Sequence, residues 1–600
     1  MTQTDGHGGL ELGLIGNSRV AALVNRLGSL VWWCYPNFDG DPVFSRLLAG
    51  DEDKGSFDCR LEGMVDARSD YLRNTAVIRT TLTDGAGNAV RITDFAPRFR
   101  LYGRNFQPAQ LCRLIEPVNG LPRITLRLRP THGYGLPRRA VAGSNHIRYL
   151  GAEDAVRLTT NAPLSYLERE TPFALTRPLH MVIGVDEPLE GATDAVVADF
   201  LKRTADYWHD WVRTLAVPFE WQEVCIRAAI TLKLSSFEET GAIVAAVTTS
   251  IPEAPGSGRN WDYRYCWLRD AYFVIQALNR LGATRTMERY VDFIATVASG
   301  GADLKPLYGI VPDLDLTERI EPNLAGYLGD GPVRVGNQAA EQVQHDVYGS
   351  VVLAVAQTFF DERLPAPGDA GMFRRLEPLA ERAAKLAFEP DAGIWEYRGR
   401  QRLHTHSALL CWVACHRMGL IARRLRLATE AGRWEAEAQR LRERILREAW
   451  SECRQCFTGT FGHDSLDASV LLMHEMGLIA ADDPRFIATV EVIGRELDNN
   501  GHLMRYSAPD DFGTPETAFL VVKFWYLDAL AAIGRRDEAR ARYDDLVALR
   551  NRYGLLAEDV HPQDGRLWGN IPQTYSMAGL INTAMKLSRS WEEGMCQGSW

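Results

Sequence analysis

The sequence predicts a multidomain α and β protein, with an N-terminal β-sandwich followed by an all-helical domain. Three observations predict it. Residues 10 to about 190 read as short alternating runs separated by Gly-rich turns. From about residue 220 the apolar spacing changes to that of helices. Stretches rich in aromatic, arginine and acidic residues then recur at the start of the second, fourth, sixth, tenth and twelfth helices, with a weaker one, "GHDSLDAS" (462–469), at the eighth. The expected boundaries are 1–190 for the β-sandwich, 191–219 for a linker helix and 220–600 for the helical domain.

In the first domain, "RVAALVNRLGSLVWWCYP" gives two apolar runs around a Gly turn, and "AVIRTTLTDGAGNAVRITDFAP" alternates on both sides of another, as a hairpin does. "CRLIEPVNGLPRITLRLRP" and "IRYLGAEDAVRLTTNAP" repeat the theme, and many strands with few helical windows predict a sandwich. Asp194 to Leu215 then reads as the linking helix. Twelve helical windows follow, beginning near 221, 264, 284, 338, 372, 405, 428, 465, 484, 516, 535 and 572. Such a run suits a solenoid or a closed double ring of helical hairpins, and the absence of a repeated signature weakens the solenoid. If the even-numbered helices form an inner ring, the motif-rich loops all open onto one end and make one pocket.

Composition bounds the function. With 46% hydrophobic and 24% charged residues, the 600-residue chain reads as an ordinary globular protein with a large core. A formal net charge of -10 argues against a nucleic-acid partner. The N-terminus has neither a basic nor an apolar leader region and no apolar run reaches membrane-spanning length, so a cytoplasmic protein without a membrane partner is expected. Most of the 10 cysteines sit in apolar surroundings, as reduced thiols do; Cys453 and Cys456 form one CxxC without the second pair of a zinc site. No Gly-rich phosphate loop precedes a helix, and "HEMGL" lacks the second histidine of a zinc helix. His404 and His406, two apart, would point to different faces. No cofactor and no metal are therefore expected.

Two carboxylates carry the case for chemistry. Glu396 directly follows Trp395 in "GIWEYRG", ahead of an apolar-faced helix. An indole lies flat against a sugar ring, and it lowers the local dielectric so that a carboxyl keeps its proton near neutrality. The plain alternative is a tryptophan packing the helix start. Glu558, in "LLAEDVHPQDGRLWGNIPQ", precedes a Gly/Pro/Asn-rich loop, where an irregular backbone partly open to solvent suits a carboxylate that stays ionised and holds a water. Its neighbour Asp559 competes for the role. Two carboxyls in contrasting environments separate a proton donor from a base in glycosidases. "NWDYRYCWLRD" adds Arg269 and Asp270, a fork of donors beside two acceptors, with Tyr263 and Trp267 as stacking faces, and Arg505 is a further donor.

Taken together, "IGNSRVAALVNRLGSLVWWCYPNFDGDPVF", "TGAIVAAVTTSIPE", "NWDYRYCWLRD", "PVRVGNQA", "GIWEYRG" and "GNIPQTYS" resemble the glucoamylase and trehalase-like enzymes of glycoside hydrolase family fifteen, over nearly the whole chain. The resemblance implies a β-supersandwich followed by an (α/α)6 barrel. It also implies hydrolysis at the non-reducing end of an α-glucoside with inversion, releasing β-glucose. Carried over by motif, Glu396 corresponds to the general acid and Glu558 to the general base. Arg269 and Asp270 correspond to the pair that grips the terminal glucose, Tyr263 and Trp267 to the walls of that subsite, and Arg505 to a sugar-binding arginine. The sequence departs at Ser350, where an acidic residue is expected, and at "GTPETAFL" (513–520), which replaces a Gly-Glu-Gly-Ala run; both bear on the second sugar.

The first reading is an inverting exo-acting α-glucosidase of glucoamylase type, with an α-linked glucose oligosaccharide or disaccharide as its partner. The alternative within enzymes is α,α-trehalase, and a cytoplasmic setting favours a small disaccharide or an internal glucan. A non-catalytic α-glucan-binding or regulatory protein would not need both acids. A helical-repeat scaffold would leave the clustered motifs unexplained.

Overall fold

The computed structural model describes residues 9–50, 54–300 and 303–596. The first eight residues of the N-terminal stretch, in which no leader was read, lie outside them.

Two antiparallel sheets make the N-terminal domain. One runs in the order Leu12–Gly16, Ala21–Asn25, Leu30–Tyr35, Ser56–Leu61, Arg123–Arg129 and Phe173–Ala174, with Asp41–Phe44 added to the third strand. The other has eight strands, with the hairpin Ile78–Asp84 and Ala89–Phe95 beside Gln110–Asn119. Their apolar faces share one core with Trp33, Phe57, Ile92 and Ile115. Arg113 bolts them together: it pairs with Asp94 of its own sheet at 2.7 Å and donates to the carbonyls of Phe57 and Gly28 on the other, both at 2.7 Å. Gly28 is forced, since its φ is +73 and a Cβ there would stand 3.0 Å from Ile92. The helix Thr193–Arg213 lays Val197, Trp208 and Val212 inward and leads to the second domain.

All twelve helical windows correspond to helices. The second, fourth, sixth, tenth and twelfth are Ala271–Arg280, Asp346–Phe360, Thr405–Arg424, Leu520–Ala532 and Thr574–Leu587. The eighth is short, a 3-10 turn Ala468–Leu471 continued by Leu472–Glu475. Each of these packs on the next, and the twelfth packs back on the second, so the inner ring closes. Most are buried all round, whereas outer helices such as Ala370–Leu386 and Ala428–Glu448 bury one stripe, as inner and outer positions require. The result is the expected (α/α)6 barrel behind a β-supersandwich.

Two helices start later than the apolar spacing suggested. The window at 264 opens with Cys266–Trp267 paired as strand to Leu307–Tyr308, and the one at 338 with a 3-10 turn capped by Asn337. Among the described residues no helix is long and apolar enough to cross a membrane.

Candidate active site

The motif-rich loops meet. One cleft, with about 650 Å³ of empty space partly open to solvent, is lined by Arg259, Trp261, Tyr263 and Arg269 from the first loop and by Asn337 and Gln342 from the second. Trp395, Glu396 and Arg398 come from the third, Arg505 and Asp510 to Phe512 from the fourth, and Glu558 from the last. The loop at 462–469 contributes from behind: Asp467 accepts the Trp395 indole N–H at 2.8 Å.

Glu396 sits in a tight turn with a left-handed backbone, φ +58, uncommon for a residue with a side chain. Its Oε1 accepts the Trp267 indole N–H at 2.7 Å and an Arg269 N–H at 3.1 Å. Its Oε2 makes no hydrogen bond to the described residues, and the side chain is 23% exposed to the cleft. The indole that touches the acid is therefore Trp267. Trp395, its sequence neighbour, turns away to Asp467, because the turn at Glu396 sends consecutive side chains in different directions.

Glu558 differs from expectation. It is 1% exposed, not open to solvent, because the backbone continues as the strand Asp559–Val560 between Ala518–Phe519 and Leu567–Trp568. Tyr263 donates its hydroxyl to Glu558 Oε1 at 2.5 Å, while Oε2 has no partner among the described residues. Burial, with the charges of Asp559 and Glu253, pushes the Glu558 carboxyl well above the usual carboxylate range, and Tyr263 and Arg505 oppose that shift. Tyr263 is itself pushed up by burial and by Glu558, so it remains a donor. Asp559 points elsewhere in the core; it is equally buried and its own carboxyl is raised by burial and by Glu253.

The cleft has two ends. Behind the acids lies a more enclosed recess walled by Tyr263, Trp267, Trp395, Phe519, Trp525 and Tyr575, with Asp270 and Gln573 as polar groups. Burial pushes Asp270 up to about 6 against the pull of Arg269. The Tyr575 hydroxyl there is buried without a hydrogen-bond partner among the described residues. In front lie Trp261, Arg259, Arg398 and the 510–512 segment.

The structure gathers every predicted residue, but with altered duties. Arg269 is directed to Glu396 and the Ile394 carbonyl, at 3.1 and 2.8 Å, as well as to Asp270 at 3.3 Å. Arg505 is held by Glu253 at 2.7 Å. Asp262, in the same motif, faces away and pairs with Arg264, which reaches the Gly40 carbonyl of the β-domain at 2.9 Å. Ser350 is inside its helix, donating to the Asp346 carbonyl at 3.0 Å. His406 turns toward Asp346 at 3.7 Å while His404 stacks on Tyr397, so the two do diverge. Cys453 and Cys456 are unpaired. Glu253, Trp261, Tyr575 and Phe512 were not singled out as site residues, although each lies in a stretch marked in the sequence: Glu253 after "TTSIP", Trp261 in "NWDYRYCWLRD", Phe512 in "RYSAPDDFGTPETAF" and Tyr575 in "GNIPQTYS".

Known proteins resemble the chain over most of its length. Residues 221–585 match Glycosyl hydrolases family 15, and residues 9–163 match the family described as Trehalase-like, N-terminal. The chain is 31% identical to a trehalase of Mycolicibacterium smegmatis over 623 aligned positions, covering 98% of this chain and 92% of that one. It is 29% identical to a trehalase of Thermoplasma volcanium, covering 96% and 93%. Among solved structures, a bacterial glucoamylase complexed with acarbose superposes with a TM-score of 0.68 at 14% identity, over 96% of this chain and 94% of that one, which bears on the fold alone. With its own barrel, its gathered acids and a family match over more than half its length, the chain belongs to glycosyl hydrolases family 15.

Proposed function

We propose that the protein is an inverting α-glucoside hydrolase whose substrate is α,α-trehalose. One observation carries the chemistry: the two acids stand at the junction of an enclosed aromatic recess and an open front, each fixed by a donor from one short segment, Tyr263 for Glu558 and Trp267 for Glu396. An enclosed recess takes one terminal glucose ring, so the bond cleaved is the one that crosses the junction. Trp395, Trp525 and Tyr575 offer ring faces, and Asp270, Gln573 and the unpartnered Tyr575 hydroxyl offer partners for sugar hydroxyls. Glu396 protonates the leaving oxygen through Oε2. Glu558 removes a proton from a water that attacks the anomeric carbon from the opposite face, in one step, with ~6.5–9.5 Å between the carboxyl groups. The C–O bond breaks as the water C–O bond forms, and both carboxyls return to their starting states by exchange with solvent.

The preference between substrates reverses the order read from sequence. Relatives named trehalase align with nearly all of both chains, whereas the likeness to glucoamylase supports only a shared fold. On this reading residues 1–190 brace a catalytic domain of residues 220–600 across the helix at 191–219, and the enzyme works in the cytoplasm without a cofactor. A regulatory role would leave the paired acids without purpose.

The test is glucose release from trehalose, maltose, isomaltose and maltotetraose, followed by proton NMR in the first minutes. Trehalose should be cleaved fastest and give equal β- and α-glucose, the α unit being the leaving group. Faster release from maltotetraose would return the enzyme to the glucoamylase reading. Two α-glucose per trehalose would refute inversion.

A further inference from the structure

The front of the cleft is bounded by a strap, residues 505–513, that crosses from one wall to the other. Its two adjacent aspartates are pinned to different elements. Asp510 receives both Arg259 N–H groups at 2.6 Å, in a pair whose side chains are each 6% exposed, and the Tyr506 hydroxyl at 2.5 Å. Arg259 also donates to the Gly513 carbonyl at 2.9 Å. Asp511 instead accepts the backbone N–H groups of Arg398 and Gly399, at 2.6 and 3.1 Å, on the loop that carries Glu396. Charge-assisted bonds at both ends make the strap a fixed part of the wall.

Between these anchors the strap presents Phe512, a large apolar ring 36% exposed at the rim of a polar cleft. It stands edge-on to Trp261, with ring centroids 5.2 Å apart. The Arg398 guanidinium lies 4.4 Å over Trp261, and Glu318 holds it at 2.8 Å. An exposed Phe512 ring, backed by the half-buried Trp261 and flanked by guanidinium groups, offers an apolar surface beside fixed hydroxyl-binding donors, which is what a pyranose ring requires.

We infer that Trp261 and Phe512 form the platform for the second sugar unit, and that the strap fastened by Asp510 and Asp511 ends the cleft there, restricting the enzyme to substrates of two sugar units. This rests on the reading of the inner recess as the seat of the first glucose. It assigns substrate length to a segment that joins the departure from the family pattern at 513–520, and it is independent of which linkage is cleaved.

The experiment uses the full-length enzyme with α-glucosyl fluoride as reporter substrate, which needs the recess and the two acids only. Trehalose, maltose and maltotetraose are added as inhibitors. In the native enzyme the better disaccharide should inhibit at least ten-fold more tightly than maltotetraose. Asp511→Ala, which frees the strap from the acid loop, and Phe512→Ala, which keeps both anchors and so preserves the fold, should each narrow that ratio several-fold. Equal inhibition by the disaccharide and maltotetraose in the native enzyme would overturn the proposal. So would variants that weaken both inhibitors in parallel. An enzyme that hydrolyses the fluoride but not trehalose would refute the proposed substrate while leaving the length test intact.

Discussion

Replacing Tyr263 by phenylalanine removes one oxygen and tests the assignment of the base. That hydroxyl donates to Glu558 Oε1 at 2.5 Å inside a buried site, and Glu558 has no other hydrogen bond to its carboxylate oxygens among the described residues. A hydrogen bond to a charged group contributes about 1.5–3 kcal/mol. Since one pH unit corresponds to about 1.4 kcal/mol, its loss should raise the Glu558 pKa by roughly one to two units beyond a value already lifted by burial. A general base works ionised, so activity is present above its pKa and lost as the pH falls through it. The acid limb of the kcat/KM profile, which reports the free enzyme, should therefore move up by about one to two units, with the alkaline limb unmoved. Profiles of native enzyme and Tyr263→Phe on trehalose, with circular dichroism to confirm the fold, check this. A variant whose whole profile scales down while its acid limb stays in place would refute the reasoning, because the titrating group would then not be the carboxyl that Tyr263 holds.

Three further outcomes follow from the same geometry. Glu396→Gln should lose about 10²–10⁴-fold on trehalose, the usual worth of a general acid, and far less on α-glucosyl fluoride, whose leaving group needs little help; equal losses on both would show that Glu396 is not the proton donor. Glu558→Gln should abolish turnover of both substrates and yet raise Tm. A buried carboxyl with a raised pKa favours the folded state most when protonated, so the gain should be full above the folded pKa and vanish below about 4.3, the unfolded value. Melting curves across that range decide it. Gly569→Ala should lower both Tm and kcat, because φ is +75 there and the new Cβ would stand 2.6 Å from the Glu558 Cβ and 2.7 Å from its Oε2.

The helices were legible because a barrel of this kind needs a buried inner ring and a striped outer one, and both leave their period in the sequence. The alternation of motif-rich loops was legible for the same reason, since inner helices begin at the cleft. What could not be read is what depends on partners far along the chain. Glu253 reads as one acid after a proline until Arg505 arrives to hold it, and Asp510 looks like a loop acid until Arg259 is beside it. The burial of Glu558 was missed because the Gly-rich loop after it suggested exposure, while the strands that cover it come from 518–519 and 567–568. Trp395 was credited with the contact to Glu396 on adjacency, and the left-handed turn gave that contact to Trp267.

Tyr263 and Trp267 are four residues apart, edge to face with centroids 5.2 Å apart, and each holds one of the two acids. The acids themselves are separated by more than 150 residues of chain, yet their separation is gauged by a single short piece of backbone. That piece is moored through Arg264 to the β-domain, and it reaches the acid-bearing loops through Arg269 to the Ile394 carbonyl and through the Trp261 carbonyl to Asn570. Such an arrangement works like a carpenter's jig: the workpieces are clamped to a common template, so errors in the frame do not accumulate in the gap. Helices between 396 and 558 can then lengthen, shift or carry insertions without resetting the two contacts that hold the acids. The outer loops are then free to vary without disturbing the pair of contacts at their centre.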